Sequence, residues 1–110
     1  MTENTTETPI LDLLGNMTAD SLEAASALDP QTIILARIAA LVAVDAPPAS
    51  YLANLTLAGK LDVNDEQVKG VLAAIAPIVG TARVVSAAGK IVRAVGIALD
   101  VAEMELATEA

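Results

Sequence analysis

Few side chains in this sequence could do chemistry. Ser50, Tyr51 and Asn54 lie at i, i+1 and i+4, so one turn of helix gathers two hydroxyls and a carboxamide into a polar group. A phenol and an amide placed this way could hold a carboxylate or a carbonyl by hydrogen bonds without moving a proton. The trio also has a purely structural reading. Tyr51 is the single aromatic residue of the chain and so its largest core piece, and its hydroxyl then needs a partner inside. Arg37 interrupts an otherwise apolar run. It either faces a pocket and binds an anion or, as is usual for a buried guanidinium, pairs with an acid such as Asp45 or a carboxylate of another subunit. Ser50, Tyr51, Asn54 and Arg37 are the candidate ligand-binding residues.

The chain has no cysteine and no histidine. Without thiols there is no disulfide framework, no CxxC redox pair and no thiolate metal site. Without imidazole neither a Ser-His triad nor a usual zinc site can be built. The expectation is no catalytic residue, no metal and no cofactor. Fourteen acidic residues against six basic give a net charge of -8, which repels phosphate backbones and argues against a nucleic-acid partner.

These residues must be positioned by helices, because apolar residues recur at helical spacing and no run alternates as a strand would. Residues 1–8 are polar and read as a disordered acidic tail. Residues 9–28 read as two short helices. The first is opened by Pro9, carries Ile10, Leu13 and Leu14 and is closed by Gly15-Asn16; the second follows Thr18-Ala-Asp20-Ser21 with Leu22, Ala25 and Leu28. Asp29 caps a helix over 30–44 with Pro30 at its first position. Asp45-Ala-Pro-Pro48 breaks that helix and starts another, whose Tyr51, Leu52, Leu55 and Ala58 share a stripe. Asn64 caps a fourth, with Glu66-Gln67 in its first turn and Val68, Val71, Leu72 and Ile75 inward, and Pro77 with Gly80 kinks or ends it. The helical core spans 29–106, with 107–110 as a tail.

The last helix, over 81–106, carries two apolar seams. Val85, Ala88, Val92, Val95, Leu99, Ala102 and Leu106 recur at alternating three- and four-residue spacing; Val84, Ala87, Ile91, Ala94, Ala98 and Val101 run beside them. Two seams need partners on two sides. The remaining stripe runs from Arg83, Lys90 and Arg93 to Asp100 and Glu103, an order opposite to the one the helix dipole favours. Either exposed charges tolerate the misfit, or an antiparallel copy from another subunit sets the basic half against the acidic half. Val85, Ile91, Val92, Arg93, Val95, Leu99 and Asp100 are the expected homo-oligomer interface.

Mean hydropathy is +0.60, yet the uncharged runs 46–59 and 70–82 fall short of the ~18 residues of a spanning helix, so no membrane partner is expected. The first residues, Met1-Thr-Glu-Asn-Thr-Thr-Glu, show neither a basic nor an apolar leader region, and the expected location is cytoplasmic.

Three stretches resemble the carboxymuconolactone decarboxylase family, which includes alkylhydroperoxidase-D-like proteins. Leu28-Asp-Pro-Gln-Thr-Ile-Ile-Leu-Ala-Arg-Ile-Ala-Ala-Leu-Val-Ala-Val44 is similar to its entry helix. Ala58-Gly-Lys-Leu-Asp-Val-Asn-Asp-Glu-Gln-Val68 resembles its small-residue turn into a capped helix, and Ala74-Ala-Ile-Ala-Pro-Ile-Val-Gly-Thr-Ala-Arg83 resembles its segment before the final long helix. The resemblance covers about residues 28–99 and implies an all-α helical domain of that type, assembled as a trimer or hexamer. Its active site does not carry over. The redox branch's Cys-x-x-Cys and following His fall at Pro48, Tyr51 and Asn54. The decarboxylase branch's His falls again at Asn54, an acid falls near Ser50, and an acid on the preceding helix falls at Ile34 or Leu35. A proton relay needs the family's titratable groups within hydrogen-bond reach, and each of these places has lost the one the family keeps there. The expected function is a non-catalytic oligomeric scaffold or a binder of a small organic ligand. The alternative is a lyase or isomerase acting on a small organic acid or lactone through Tyr51, Asn54 or Arg37.

Overall fold

The computed structural model describes residues 8–109, without the side chains at positions 98, 101, 102, 105, 108 and 109. The expected tail therefore lies outside the described residues, except for Thr8. Five helices account for the described secondary structure: α1 (Pro9–Ala24), α2 (Pro30–Ala43), α3 (Pro48–Lys60), α4 (Asp65–Val79) and α5 (Thr81–Glu109).

Local sequence explains most of the boundaries. At α2 the Asp29 carboxylate accepts the Thr32 amide at 2.8 Å, and this bond, made to the charged form, lowers the Asp29 pKa. At α4 Asn64 and Gln67 form a reciprocal capping box, each side chain accepting the other's amide at 2.9 Å. Pro9, Pro30 and Pro48 each stand at a helix start, where a missing N–H costs nothing. Gly80, at φ 93° and ψ 150°, ends α4 in backbone that is essentially restricted to glycine and turns the chain into α5.

The ends of α2 and α3 share one device. The Ala46 amide donates to Leu41 O at 3.0 Å and the Asp45 amide to Val42 O at 3.1 Å; the Val63 amide donates to Ala58 O at 2.9 Å and the Asp62 amide to Gly59 O at 3.3 Å. Both are Schellman closures. Their left-handed residue is an aspartate, Asp45 at φ 56° and Asp62 at φ 62°, where glycine is usual.

Two expectations need correcting. Gly15-Asn16 does not end a helix: α1 runs unbroken for 16 residues. An internal glycine costs only about 1 kcal/mol against alanine, and one stripe (Ile10, Leu14, Met17, Ser21) continues through it. Residues 107–109 are not a separate tail, because α5 continues to Glu109, and residue 110 lies outside the described residues.

Helices α2 to α5 pack together, α3 against α5 and α2 across α3 and α4. One core cluster holds Val42, Ala46, Tyr51, Ala87 and Ala94; a second holds Ile34, Ile38 and Ala58, and Leu55 packs against both. Alanines at the α3–α5 crossing let the backbones come close to the Tyr51 ring. By contrast α1 contains no buried residue. The radius of gyration is 15.8 Å, against about 13 Å for a compact domain of this length.

Candidate functional site

Tyr51, Ser50 and Asn54 sit on the first turns of α3, and the structure separates them. Tyr51 is fully buried, Asn54 half-buried and Ser50 exposed. The Tyr51 hydroxyl has no hydrogen-bond partner among the described residues. Burial raises its pKa, and the negative charge of Asp45 raises it further. A buried neutral phenol is core material first.

Arg37 does not pair with Asp45. Its Nη2 donates to Thr18 O at 3.3 Å and to Ser21 Oγ at 3.2 Å, tying the C-terminal half of α1 to α2. Asp45 is taken instead by Lys90, whose Nζ lies 2.8 Å from Oδ1. That bond, and then the Lys90 charge itself, lowers the Asp45 pKa. Arg83 Nη1 donates to Ala43 O at 2.6 Å. Two cations of α5 thus sit on the C-terminal carbonyls and closing turn of α2, where the helix dipole is negative. Their placement, unfavourable for the dipole of α5, serves the dipole of α2. Arg93 makes no hydrogen bond or ion pair among the described residues.

The two seams of α5, about 100° apart around the helix, differ in what they meet. Ala87 and Ala94 are buried and Ile91 packs beside them, so the second seam meets the chain's own core. Ile91 is half-buried and also lines the groove beside the first seam; Ala98, Val101 and Ala102 lie outside the described side chains. The first seam is open. Val85 is 66%, Val92 70%, Leu99 59% and Leu106 66% exposed, and Val95 is 42% exposed.

An apolar groove of about 570 Å³ runs beside this seam, between α3, the start of α4 and α5. Leu55, Val68, Leu72, Val92 and Val95 wall it, and Asn64, Asp65 and Lys69 give it a polar edge. A second hollow, about 430 Å³, lies under the end of α1 between Leu22, Leu28, Ile33 and Leu61. None of Arg37, Ser50, Tyr51 and Asn54 lines either one. Leu55 and Leu72 stood in the sequence as stripe residues. That they border a groove depends on how α3 and α4 diverge, which no local pattern encodes.

Among the described residues there is no cluster of metal-ligating side chains, and no helix is long and apolar enough to cross a membrane. No protein family, curated protein or solved structure matches the chain.

Proposed function

We propose that this chain is the protomer of a homo-oligomeric, non-catalytic helical protein, a scaffold of the carboxymuconolactone-decarboxylase-like type that lacks the family's thiols and proton relay. The observation that carries the reading is the open seam of α5: Val85, Val92, Leu99 and Leu106 lie a heptad apart on one face, each more than half exposed. Single exposed valines are ordinary; a continuous row along a helix about 43 Å long is an association surface. The catalytic alternative lacks the converging polar groups it needs, because the Tyr51 hydroxyl is enclosed and Arg37 is occupied by α1. Light scattering at micromolar concentration tests the reading. A trimer or hexamer is expected, and a well-folded particle of 11.2 kDa would refute it.

A further inference from the structure

We infer that the open seam of α5 is covered by α5 of a second copy laid antiparallel to it, about a two-fold axis that passes beside Gly96. The inference rests on the homo-oligomer reading and gives that contact its direction.

The charges that decide the direction sit on the seam's own flank. Arg93 follows Val92 and Asp100 follows Leu99, so both stand on one side of the open seam, with Gly96 between them. Arg83 and Lys90 are spent on the end of α2, whereas Arg93 is exposed and makes no hydrogen bond or ion pair among the described residues. Asp100 and Glu103 are exposed and equally unpaired there. After Arg93 the chain has no further basic residue, while Asp100, Glu103, Glu105 and Glu109 follow. Carboxylates three residues apart, as Asp100 and Glu103 are, repel one another along a helix. Arg93 stands about 10 Å along the helix from Asp100, beyond the reach of a pair within α5 itself.

A second copy turned end for end at Gly96 supplies the missing partner. Residues 93 and 100 lie nearly equally far from 96, so Arg93 comes level with Asp100 of the other copy to within about 1.5 Å, and the reverse. The rotation keeps each flank on its own side, so the pair forms twice along one rim. The same axis brings Val85 level with Leu106 and Val92 level with Leu99 of the other copy, and the apolar row is matched from end to end. A parallel pair would match the row equally well, but it would gather both sets of acids at one end. The rim charges therefore choose direction more than they add affinity.

The approach is clear. Gly89 and Gly96 stand two residues beyond the buried Ala87 and Ala94, about 200° around the helix, and so face away from the core. Outside the helix's own backbone no atom lies within 4 Å of where a Cβ would stand at either glycine, and a second helix can come close along this line. A two-fold contact also fixes the parity of the assembly: it builds a dimer or joins two trimers into a hexamer, and a bare trimer lacks it.

Cysteines at the two ends of the seam separate this inference from the reading beneath it. The chain has no native thiol. Two full-length variants, Val85→Cys and Leu106→Cys, are prepared singly and also co-expressed, then treated with a short bismaleimide. Both positions are 66% exposed, so neither substitution disturbs the core. Mass spectrometry of the co-expressed pair is expected to find the two cysteine peptides joined to each other, while each variant alone stays unlinked because its thiols lie about 30 Å apart across the axis. Links within each variant alone, with none between the two, would show a parallel contact and overturn the direction while leaving the oligomer intact. Oligomers without links of either kind would place the contact elsewhere and also overturn it. Monomers without links would overturn both readings. Arg93→Glu is expected to weaken association about tenfold with helicity unchanged, and adding Asp100→Arg to restore most of it. A double variant as weak as the single one, or a single variant that assembles like the wild type, would count against the pairing.

Discussion

Val92 and Ala94 stand two residues apart on α5, about 200° around the helix, and the same substitution at each should have opposite consequences. Ala94 is fully buried and Val92 is 70% exposed. An aspartate at 94 would place a carboxylate in the cluster of Tyr51 and Val42, at a cost of several kcal/mol. That is a large share of the about 5–15 kcal/mol that holds a domain of this kind folded. An aspartate at 92 enters water in the isolated protomer and should shift its stability by no more than about 0.5 kcal/mol. In the assembly it removes 70% of a valine's burial, about 1–2 kcal/mol, and adds a desolvated charge worth several more, so association should weaken by about a thousandfold. Circular dichroism melts and light scattering on the two variants read these effects separately. Val92→Asp should give folded protomers of about the chain mass, and Ala94→Asp should give a chain that fails to fold at all. If Val92→Asp assembles like the wild type, the open seam is not the interface. If it unfolds like Ala94→Asp, the assignment of the two seams to inside and outside is reversed.

Tyr51→Ala should cost ~3–5 kcal/mol as a large-to-small change in the core, whereas Tyr51→Phe should be neutral or mildly stabilising, since the hydroxyl bonds to none of the described residues; denaturant titration of the two gives the comparison. Gly80→Ala should cost about 1–3 kcal/mol, because φ 93° with ψ 150° strains any residue bearing a Cβ even though space there is open; a small loss would mean that the α4–α5 turn adjusts. Stability should decline at both ends of the pH range. The lowered Asp45 pKa makes the Lys90 pair's contribution present above the ordinary 3.8 and lost as pH falls through the lower folded value. The raised Tyr51 pKa lets the unfolded chain ionise first once pH passes 10.0, so stability falls as pH rises, and tyrosinate absorbance, from one tyrosine alone, should appear only with unfolding.

What the sequence disclosed follows from the range of the interactions involved. Asp29 with Pro30 and Asn64 with Gln67 act over three residues, so their patterns read directly as helix starts. The closures at Asp45 and Asp62 are equally local, yet they went unread because an aspartate in the left-handed region carries no glycine to announce it. Gly15 misled in the other direction: a glycine marks a stop only where the backbone must turn, and in α1 it need not. Arg37 and Lys90 were legible as needing partners, but their partners lie 16–19 and 45 residues away and depend on how helices cross. The two seams of α5 were visible as periods. Which of them faces inward is a tertiary fact, and the alanine-rich one won because close approach to Tyr51 demands small side chains.

That outcome inverts the usual order of size. Along α5 this chain buries Ala87 and Ala94, and on the adjoining side of the same helix it exposes Val85, Val92, Leu99 and Leu106. A domain evolved to stand alone gains most by turning the larger apolar residues inward, since buried area scales with their size. With five seam side chains about 60% exposed, complete coverage is worth on the order of 6 kcal/mol per copy before losses. Association costs about 4–15 kcal/mol in lost freedom, so pairing through this seam alone is marginal. The exposed stripe of α1 offers a comparable apolar area. On the homo-oligomer proposed above, the thin core and the open seam are one arrangement, in which the apolar surface needed for stability is completed between copies.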